Sequence, residues 1–232
     1  CSLVGSEMCI RDRITDKVLG QGQTPTYVFT PTYIEEGQLI QQPAYSKEPM
    51  AQRNEEAIKL LEEAGYSKAN PLKFSILYNT NENHKKVAIA AASMWKANTK
   101  GLIDVKLENQ EWKTYIDSRR AGRYDAARAG WNADYNQATT FGNYFLSNSS
   151  NNTAKYANPE YDKAIAESYV ATDAEGRAKA YAKAEEILAK DFGIVPIFNY
   201  VNPRLVKPYV KGYSGKDPQD HIYLRNLYII KH

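Results

Sequence analysis

The sequence predicts an α/β fold in which a sheet is flanked by helices. Residues 72–78 (LKFSILY) alternate in hydrophobicity like a strand, and residues 84–97 follow with the spacing of an amphipathic helix. A second strand over 103–107, a short helix over 111–120 and a third strand over 124–130 continue the series. Strands that alternate with helices in this order are typical of parallel crossover units, so we predict a mixed α/β lobe with a mixed sheet flanked by helices.

The chain before this region is less regular. Residues 14–22 resemble the end of a helix that runs into a Gly-rich turn, and residues 23–45 carry three prolines with little periodicity. We predict a long surface loop there, of a length that is uncommon unless the loop is functional or docked on something. Residues 53–64 have a helical apolar stripe, and Gly65 follows as a C-terminal stop.

After residue 135 the pattern is less regular, with a polar loop over 147–153, then two predicted helices and a strand. Asn158 and Pro159 are a good helix start, with an N-cap followed by a proline at the first helical position. Thr172 and Glu175 have capping-box spacing and predict the start of a second helix that extends to about residue 190. Residues 194–200 are predicted to form another strand, placed at an edge or a bulge by Pro196.

Composition excludes several classes of function. The chain has 232 residues, a net charge of +3 and 43% hydrophobic residues, which is globular and too weakly basic to indicate nucleic-acid binding. Both cysteines, Cys1 and Cys9, lie in residues 1–12, a segment without helical period or cap that resembles a translated sequencing-adapter artefact. We expect this segment to be foreign, which leaves no disulfide framework and no thiolate zinc site in the remainder.

Catalytic motifs are not found in the sequence. The three histidines, His84, His221 and His232, have no metal-ligand partner at helical spacing, and there is no nucleophile elbow, P-loop or dinucleotide-binding fingerprint. We therefore expect a protein that is not an enzyme and that needs no cofactor or metal. The absence of motifs is meaningful only in part, because catalytic triads assemble from positions that are distant in sequence.

Residues 124–135 (YDAARAGWNADY) combine charges of both signs. Arg128 lies within the predicted strand, and Asp134 follows the Gly130–Trp131 step at which the strand ends. Such an arrangement suits a ligand with two oppositely charged ends. The alternative is that Arg128 and Asp134 pair with each other or with neighbours and only hold the loop, because buried charges usually have either a role or a partner.

Six segments in order resemble the C-terminal part of the oligopeptide-binding proteins of ABC transporters, within the family-5 solute-binding group. They are RNEEAIKLLEEAGY from Arg53, LYNTNENHKK from Leu77, NQEWKTYIDSR from Asn109, ARAGWNADY from Ala127, LSNSSNNTAKY from Leu146 and VNPRLVKPYVKGYSGKDP from Val201. The terminal NLYIIKH adds to the match, which covers nearly everything after the first twelve residues.

The resemblance implies a type II periplasmic-binding-protein-like fold that is incomplete in this chain. The family has two α/β lobes and an additional domain, so residues 13–200 would form the second ligand-binding lobe and residues 201–232 would return to the first. The implied function is an extracytoplasmic receptor that delivers short peptides to the permease subunits of an ABC transporter. It would be a monomer when complete, periplasmic or a lipoprotein, with its export signal missing here, and it would touch the membrane only through the transporter.

The resemblance also assigns roles near the ends of a bound peptide. Asp134 matches the family aspartate that pairs with the peptide α-ammonium, although a structural turn is the alternative. Arg119 and Arg128 match arginines near the peptide carboxyl end, where a guanidinium binds carboxylate bidentately. For Arg119 the alternative is a solvated helix end. His84 matches a histidine used with some ligand lengths, and a plain surface residue is its alternative.

The remaining implied site residues concern the body of the peptide. Gly130 and Asn132 flank Trp131 where the family pairs its backbone with an extended ligand. Trp131 and Trp112 would line side-chain pockets, with core packing as the alternative. Some family members have a cysteine where this chain has Asn132, so a disulfide from that position is excluded.

Two other hypotheses remain open. The same fold binds other solutes in other family members, including murein peptides, dipeptides and nickel complexes. A peptidase that uses Asp134 to hold the substrate amine is a second alternative from a different class.

Overall fold

The computed structural model describes residues 10–215, 217 and 219–231. Both cysteines and His232 lie outside the described residues, as does most of the predicted foreign segment 1–12. Residues 10–13 form a short helix, and Arg11 donates a hydrogen bond of 2.7 Å to the carbonyl oxygen of Pro196. The boundary at residue 12 stays a prediction.

Seven α-helices and seven strands are found in the part of the chain that the structure describes. The helices are α1 Ile10–Arg13, α2 Met50–Glu63, α3 Glu82–Asn98, α4 Trp112–Arg120, α5 Thr139–Gly142, α6 Pro159–Val170 and α7 Ala174–Asp191. The strands are β1 Thr24–Pro25, β2 Leu72–Asn79, β3 Ile103–Gln110, β4 Ala126–Ala127, β5 Phe198–Asn199, β6 Val210–Lys211 and β7 Tyr228–Ile229. A π-helical turn over Ile14–Leu19 continues α1 and ends at Gly20, which has a φ of +63°.

A three-stranded parallel sheet lies at the centre of the first half, in the order β3-β2-β4. The helices α3 and α4 make the two crossovers, which confirms the predicted strand–helix–strand–helix–strand series and the α/β class. β2 pairs with β3 along eight residues, from Leu72 opposite Ile103 to Asn79 opposite Gln110. The third strand is shorter than predicted, because only Ala126 and Ala127 pair with β2 before the chain leaves the sheet.

The predicted surface loop over residues 23–45 is in fact docked on the helical half of the molecule. Val28, Ile34 and Ile40 are buried in a core with α5, α6 and α7. The fully buried carboxylate of Glu185 in α7 accepts hydrogen bonds from the backbone N–H groups of Phe29, at 3.0 Å, and Thr30, at 2.7 Å. The segment is irregular but partly buried, and a side chain from elsewhere in the chain satisfies two of its backbone N–H groups.

Helix starts are set by local side chains. Asn158 caps α6 by accepting from the N–H groups of Glu160 and Tyr161, and Pro159 is the first helical residue, as predicted. The cap of α7 is Asp173 rather than the predicted Thr172, since the Asp173 carboxylate accepts from the N–H of Gly176. The one-residue error arises because either residue type can cap a helix.

The helix predicted for residues 53–64 is present, but its apolar stripe is only partly covered by other described residues. The helix begins earlier, at Met50, and none of its residues is buried, with Leu60 left exposed. Gly65 ends the helix with a φ of +87°, which favours glycine.

The last part of the chain has little regular structure. The predicted strand 194–200 is reduced to β5, which pairs antiparallel with β1. Beyond it, β6 pairs with β7, and Leu205, Leu224 and Ile229 are exposed. The division at residue 200 remains a prediction.

Candidate functional site

The candidate site lies where β2 and β4 end. Ligands of open α/β sheets bind beyond the carboxyl ends of the strands, and Arg128 directly follows β4 there. The Arg128 N–H donates to the Leu77 carbonyl at 2.8 Å, and the Arg128 carbonyl accepts from the hydroxyl of Tyr115 in α4. The backbone of Arg128 is therefore fixed on both sides by the sheet and the crossover helix.

The guanidinium of Arg128 is sheltered without a counter-charge. It lies over the ring of Tyr200, 5.7 Å from the centroid, and forms no ion pair with any carboxylate of the described residues. Burial lowers the pKa of Arg128, and the positive charge of Arg119 acts in the same direction. The proposed Arg128–Asp134 pair, one of the two alternatives from the sequence, is not formed.

Arg119, at the end of α4, is held by neutral groups. Its Nη2 donates to the hydroxyl of Tyr144 at 3.0 Å and to Oγ1 of Thr153 at 2.8 Å, and its guanidinium lies 5.5 Å from the centre of the Tyr115 ring. It is half-buried, so the solvated-helix-end alternative is wrong. Arg119 and Arg128 thus flank Tyr115, and both keep their charge free of carboxylates in the described chain.

His84 is near this basic group. It lies in the first turn of α3, after β2, and its Nδ1 is 2.9 Å from Oδ1 of Asn79, the last residue of β2. Burial, followed by the charge of Arg128, lowers the pKa of His84 to about 4. The ring is therefore neutral near pH 7, and because it is half-buried it is not the plain surface residue of the alternative.

Asp134 is the acidic residue of the candidate site, six residues after Arg128 in the sequence. Its backbone N–H donates to Oγ1 of Thr140 at 2.9 Å, which fixes the turn, while its carboxylate has no partner among residues 10–215, 217 and 219–231. The side chain is exposed in the described chain. A turn role for the backbone and a binding role for the carboxylate are compatible in this geometry.

The chain between these two ends is unpaired. Gly130, Trp131 and Asn132 lie in no strand, and their backbone N–H and carbonyl groups have no hydrogen-bond partner within the described residues. The indole Nε1 of Trp131 donates to the Thr140 carbonyl at 2.8 Å, and its ring contacts Tyr144 edge-on with centroids 4.9 Å apart. Because the Trp131 indole is held by these contacts, the unpaired backbone groups on either side of it are available for hydrogen bonds to an extended peptide chain.

Trp112 is the first residue of α4, and its ring contacts Tyr115 in the same helix. Its side chain is 56% exposed, and its ring is tilted against Tyr115 with centroids 5.8 Å apart. Core packing, one alternative from the sequence, is therefore wrong for Trp112 in the described chain. Tryptophan is enriched at binding interfaces, so an exposed Trp112 is available for ligand contact.

Sequence reasoning missed four residues that hold the charged groups, namely Tyr115, Tyr144, Thr153 and Tyr200. The high tyrosine content was the one available signal, since 18 of the 232 residues are tyrosine. Thr153 also belongs to the polar loop after residue 146, where the hydroxyl of Tyr124 donates to the Thr153 carbonyl at 2.7 Å.

A parallel-sheet lobe with an open polar site beyond its strands is the architecture of a solute-binding lobe. The model of bacterial extracellular solute-binding proteins, family 5 Middle, matches residues 11–153, which is more than half of the chain. The chain therefore belongs to that family, as the six sequence segments predicted. The match includes Arg11 and Asp12, two residues that we had assigned to the foreign segment.

Named relatives agree with the family. The chain is 96% identical over 222 residues to the periplasmic oligopeptide-binding protein OppA of Haemophilus influenzae, covering 96% of this chain and 41% of the relative. It is 54% identical to OppA of Salmonella typhimurium, covering 96% of this chain and 40% of the relative. The chain thus spans about two fifths of the length of these relatives.

A solved structure agrees as well. The crystal structure of Haemophilus influenzae OppA in complex with the peptide RPPGFSPFR superimposes with a TM-score of 0.88 at 96% identity, over 95% of this chain and 43% of that one. These relatives are binding proteins by name. No described helix of this chain has the length and apolar character needed to cross a bilayer.

Proposed function

We propose that this chain is the second ligand-binding lobe of an extracytoplasmic receptor for short peptides. The observation that supports this proposal is a site with two charged ends. One end has the sheltered cations of Arg119 and Arg128, the other has the unpaired carboxylate of Asp134, and backbone without hydrogen-bond partners in the described chain lies between them. A peptide with free termini has the complementary charges and the complementary backbone groups. The proposal extends to the complete protein, of which this chain would be a part.

The acidic end would bind the peptide ammonium. An ion pair between the Asp134 carboxylate and an α-ammonium is a charge-assisted hydrogen bond, stronger than a neutral one. A peptide with a blocked amine would leave the carboxylate unpaired, which gives discrimination against it. Asp134 is exposed in the described chain, so enclosure by the bound peptide and by the other lobe would supply the low-dielectric setting.

The basic end would bind the peptide carboxylate. Arg128 and Arg119 carry fixed positive charges that no described carboxylate neutralises, and an arginine can bind a carboxylate bidentately. His84 lies near Arg128, where a bound carboxylate would favour its protonated form. These three side chains would offer alternative binding positions for the C-terminal carboxylate of peptides of different length.

The middle of the site would read little of the peptide sequence. The free backbone of Gly130 and Asn132 would pair with the ligand main chain, which is common to all peptides. Trp131 and Trp112 would contact side chains through broad apolar faces, which accept varied partners. Such a division favours a receptor that accepts many sequences.

Membership of the family supports a proposal for the biological setting. We infer a periplasmic or membrane-anchored receptor that delivers peptide to ABC-transporter permease subunits, contacts the membrane only through them, and is monomeric when complete. We infer no catalytic role, no cofactor and no nucleic-acid partner. Other solutes, such as murein peptides, are the second candidate, because the charged ends alone do not fix the ligand body.

The test uses the complete protein, in which this sequence fills the matching segment of the Haemophilus relative. Native mass spectrometry of the protein exposed to a defined peptide pool should recover peptides with free termini, in several lengths and sequences. Recovery of a single non-peptide solute, or of murein peptides alone, would contradict the proposal. Release of free amino acids during incubation would instead support the peptidase alternative.

A further inference from the structure

Tyr200 is in contact with two parts of the candidate site. Its ring lies 5.7 Å from the guanidinium carbon of Arg128, and its edge faces Gly130. A Cβ atom at position 130 would come within 2.8 Å of the Tyr200 hydroxyl and 2.9 Å of its Cε2, closer than side chains pack. The tyrosine is 38% exposed, so these contacts leave part of its surface uncovered.

The backbone that carries Tyr200 is fixed. The preceding residues form β5, in which Asn199 pairs with Thr24 and Phe198 with Pro25. The Thr26 N–H donates to the Ile197 carbonyl at 3.1 Å, and Phe198 contacts the Tyr200 ring edge-on with centroids 5.4 Å apart. Tyr200 therefore projects from a fixed base onto Arg128, although 72 residues separate them in sequence.

Glycine at position 130 is explained by this contact. Gly130 is not among the glycines with positive φ, so its backbone conformation is open to other residues. What excludes a side chain is the close approach of Tyr200. An alanine at this position would push the tyrosine ring away, and the nearest neighbour on the other side is Nη2 of Arg128, at 3.2 Å from the added atom.

We propose that Tyr200 is a positioning residue that orients Arg128 for the ligand carboxylate. An aromatic face holds a guanidinium by attraction to the ring without cancelling its charge, whereas a carboxylate in the same place would neutralise it. The whole positive charge thus stays available to the ligand. This inference rests on the proposed function, and it adds the residue that orients the basic end and the reason for the glycine.

The experiment measures two peptides on the complete protein by titration calorimetry. One peptide has a free C-terminal carboxylate, and the other is its C-terminal amide. Tyr200→Ala should weaken binding of the free acid by about fivefold to thirtyfold, the range of a partly desolvated cation–π contact, and binding of the amide by less than about twofold. Tyr200→Phe keeps the aromatic face and should stay within about threefold of wild type for both.

Gly130→Ala provides an independent variant. It should reduce the preference for the free acid as Tyr200→Ala does, because it displaces the ring, and it should cost little more in the Tyr200→Ala background. Tyr169→Ala is the control, since Tyr169 is an exposed tyrosine on α6 whose hydroxyl bonds Asn143, away from Arg128. It should leave both affinities unchanged.

The outcomes separate the two proposals. If wild type prefers the free acid and Tyr200→Ala keeps that preference, or weakens both peptides equally, the positioning role is overturned while the proposed function stands. Strictly additive losses for Gly130→Ala and Tyr200→Ala overturn it too. If wild type binds acid and amide equally, the proposed function of the basic end is overturned, and the positioning role with it.

Discussion

The two ends of the candidate site differ in how completely this chain builds them. At the basic end, Arg119 is fixed by two hydroxyl groups and Arg128 by a sheet bond and an aromatic face. At the acidic end, only the backbone of Asp134 is fixed, and its carboxylate is exposed without a described partner. One end is preorganised within the described residues, while the carboxylate at the other end is not.

This difference has an energetic consequence. A sheltered charge gains most from an ion pair, because solvent screens it little, whereas an exposed pair contributes about 0–1 kcal/mol. The basic end should therefore contribute to ligand affinity through this lobe, and the acidic end should contribute fully only when the complete protein encloses it. The following predictions concern the complete protein unless stated otherwise.

The largest effect is expected for Arg128→Ala. Removing a sheltered guanidinium would leave a ligand carboxylate unpaired, which costs about 3–5 kcal/mol, or roughly a hundredfold or more in affinity. Calorimetry with a free-acid peptide checks this, with the C-terminal amide as matched control. A loss below tenfold would show that the basic end is not preorganised around Arg128.

A smaller but still large effect is expected for Asp134→Asn. The affinity for peptides with a free amine should fall by roughly tenfold or more, because the acceptor of the charge-assisted hydrogen bond becomes neutral. The N-acetylated peptide should bind wild type and variant alike. Equal loss of affinity for both peptides would contradict recognition of the amine by the Asp134 carboxylate, since Asp134 would then act through the turn that it forms with Thr140.

Thr153→Val tests the neutral support of Arg119. It removes one of two hydroxyl acceptors at nearly constant volume, so we expect a two- to tenfold loss for peptides that reach Arg119, in line with about 0.5–1.5 kcal/mol for one hydrogen bond. A series of peptide lengths would reveal which peptides are affected. Equal loss across all lengths would indicate that Thr153 supports the fold instead.

The smallest effect is a pH dependence from His84. Its folded pKa of about 4 lies below the ordinary 6.5, so as pH falls the unfolded chain takes up the proton first. The resulting loss of folding stability begins below about pH 6.5, grows until about pH 4, and is absent above this window. In denaturant unfolding at several pH values, the free energy of unfolding of His84→Gln should fall less steeply with acid than that of the wild type. Identical slopes of this free energy against pH would contradict the lowered pKa of His84.

The sequence predicted features that depend on near neighbours. Asn158 and Pro159 begin a helix because the cap is satisfied two or three residues later. The crossover series was predictable because apolar periodicity reflects which face is buried. The cap of α7 was misplaced by one residue, since Thr172 and Asp173 are both capable and the structure selects the aspartate.

Features that depend on distant contacts were missed. For the surface loop predicted over residues 23–45, docking was one explanation of its length, but its partners in α5, α6 and α7 were not predictable, and Glu185 lies 155 residues from Thr30. The third strand was predicted too long, since only Ala126 and Ala127 pair with β2 and the Arg128 carbonyl accepts from the Tyr115 hydroxyl instead of from a strand. Arg128, Asp134 and Gly130 could be named from sequence, but Tyr200 could not, because no local pattern links it to them.

The most direct test of the account is a titration of the complete protein with one peptide in four forms: both termini free, only the amine blocked, only the carboxylate blocked, and both blocked. We expect the free form to bind tightest, each single block to cost at least about tenfold, and the doubly blocked form to bind weakest. Equal affinity for all four forms would contradict the claim that Asp134 and the sheltered arginines recognise the two ends of a peptide.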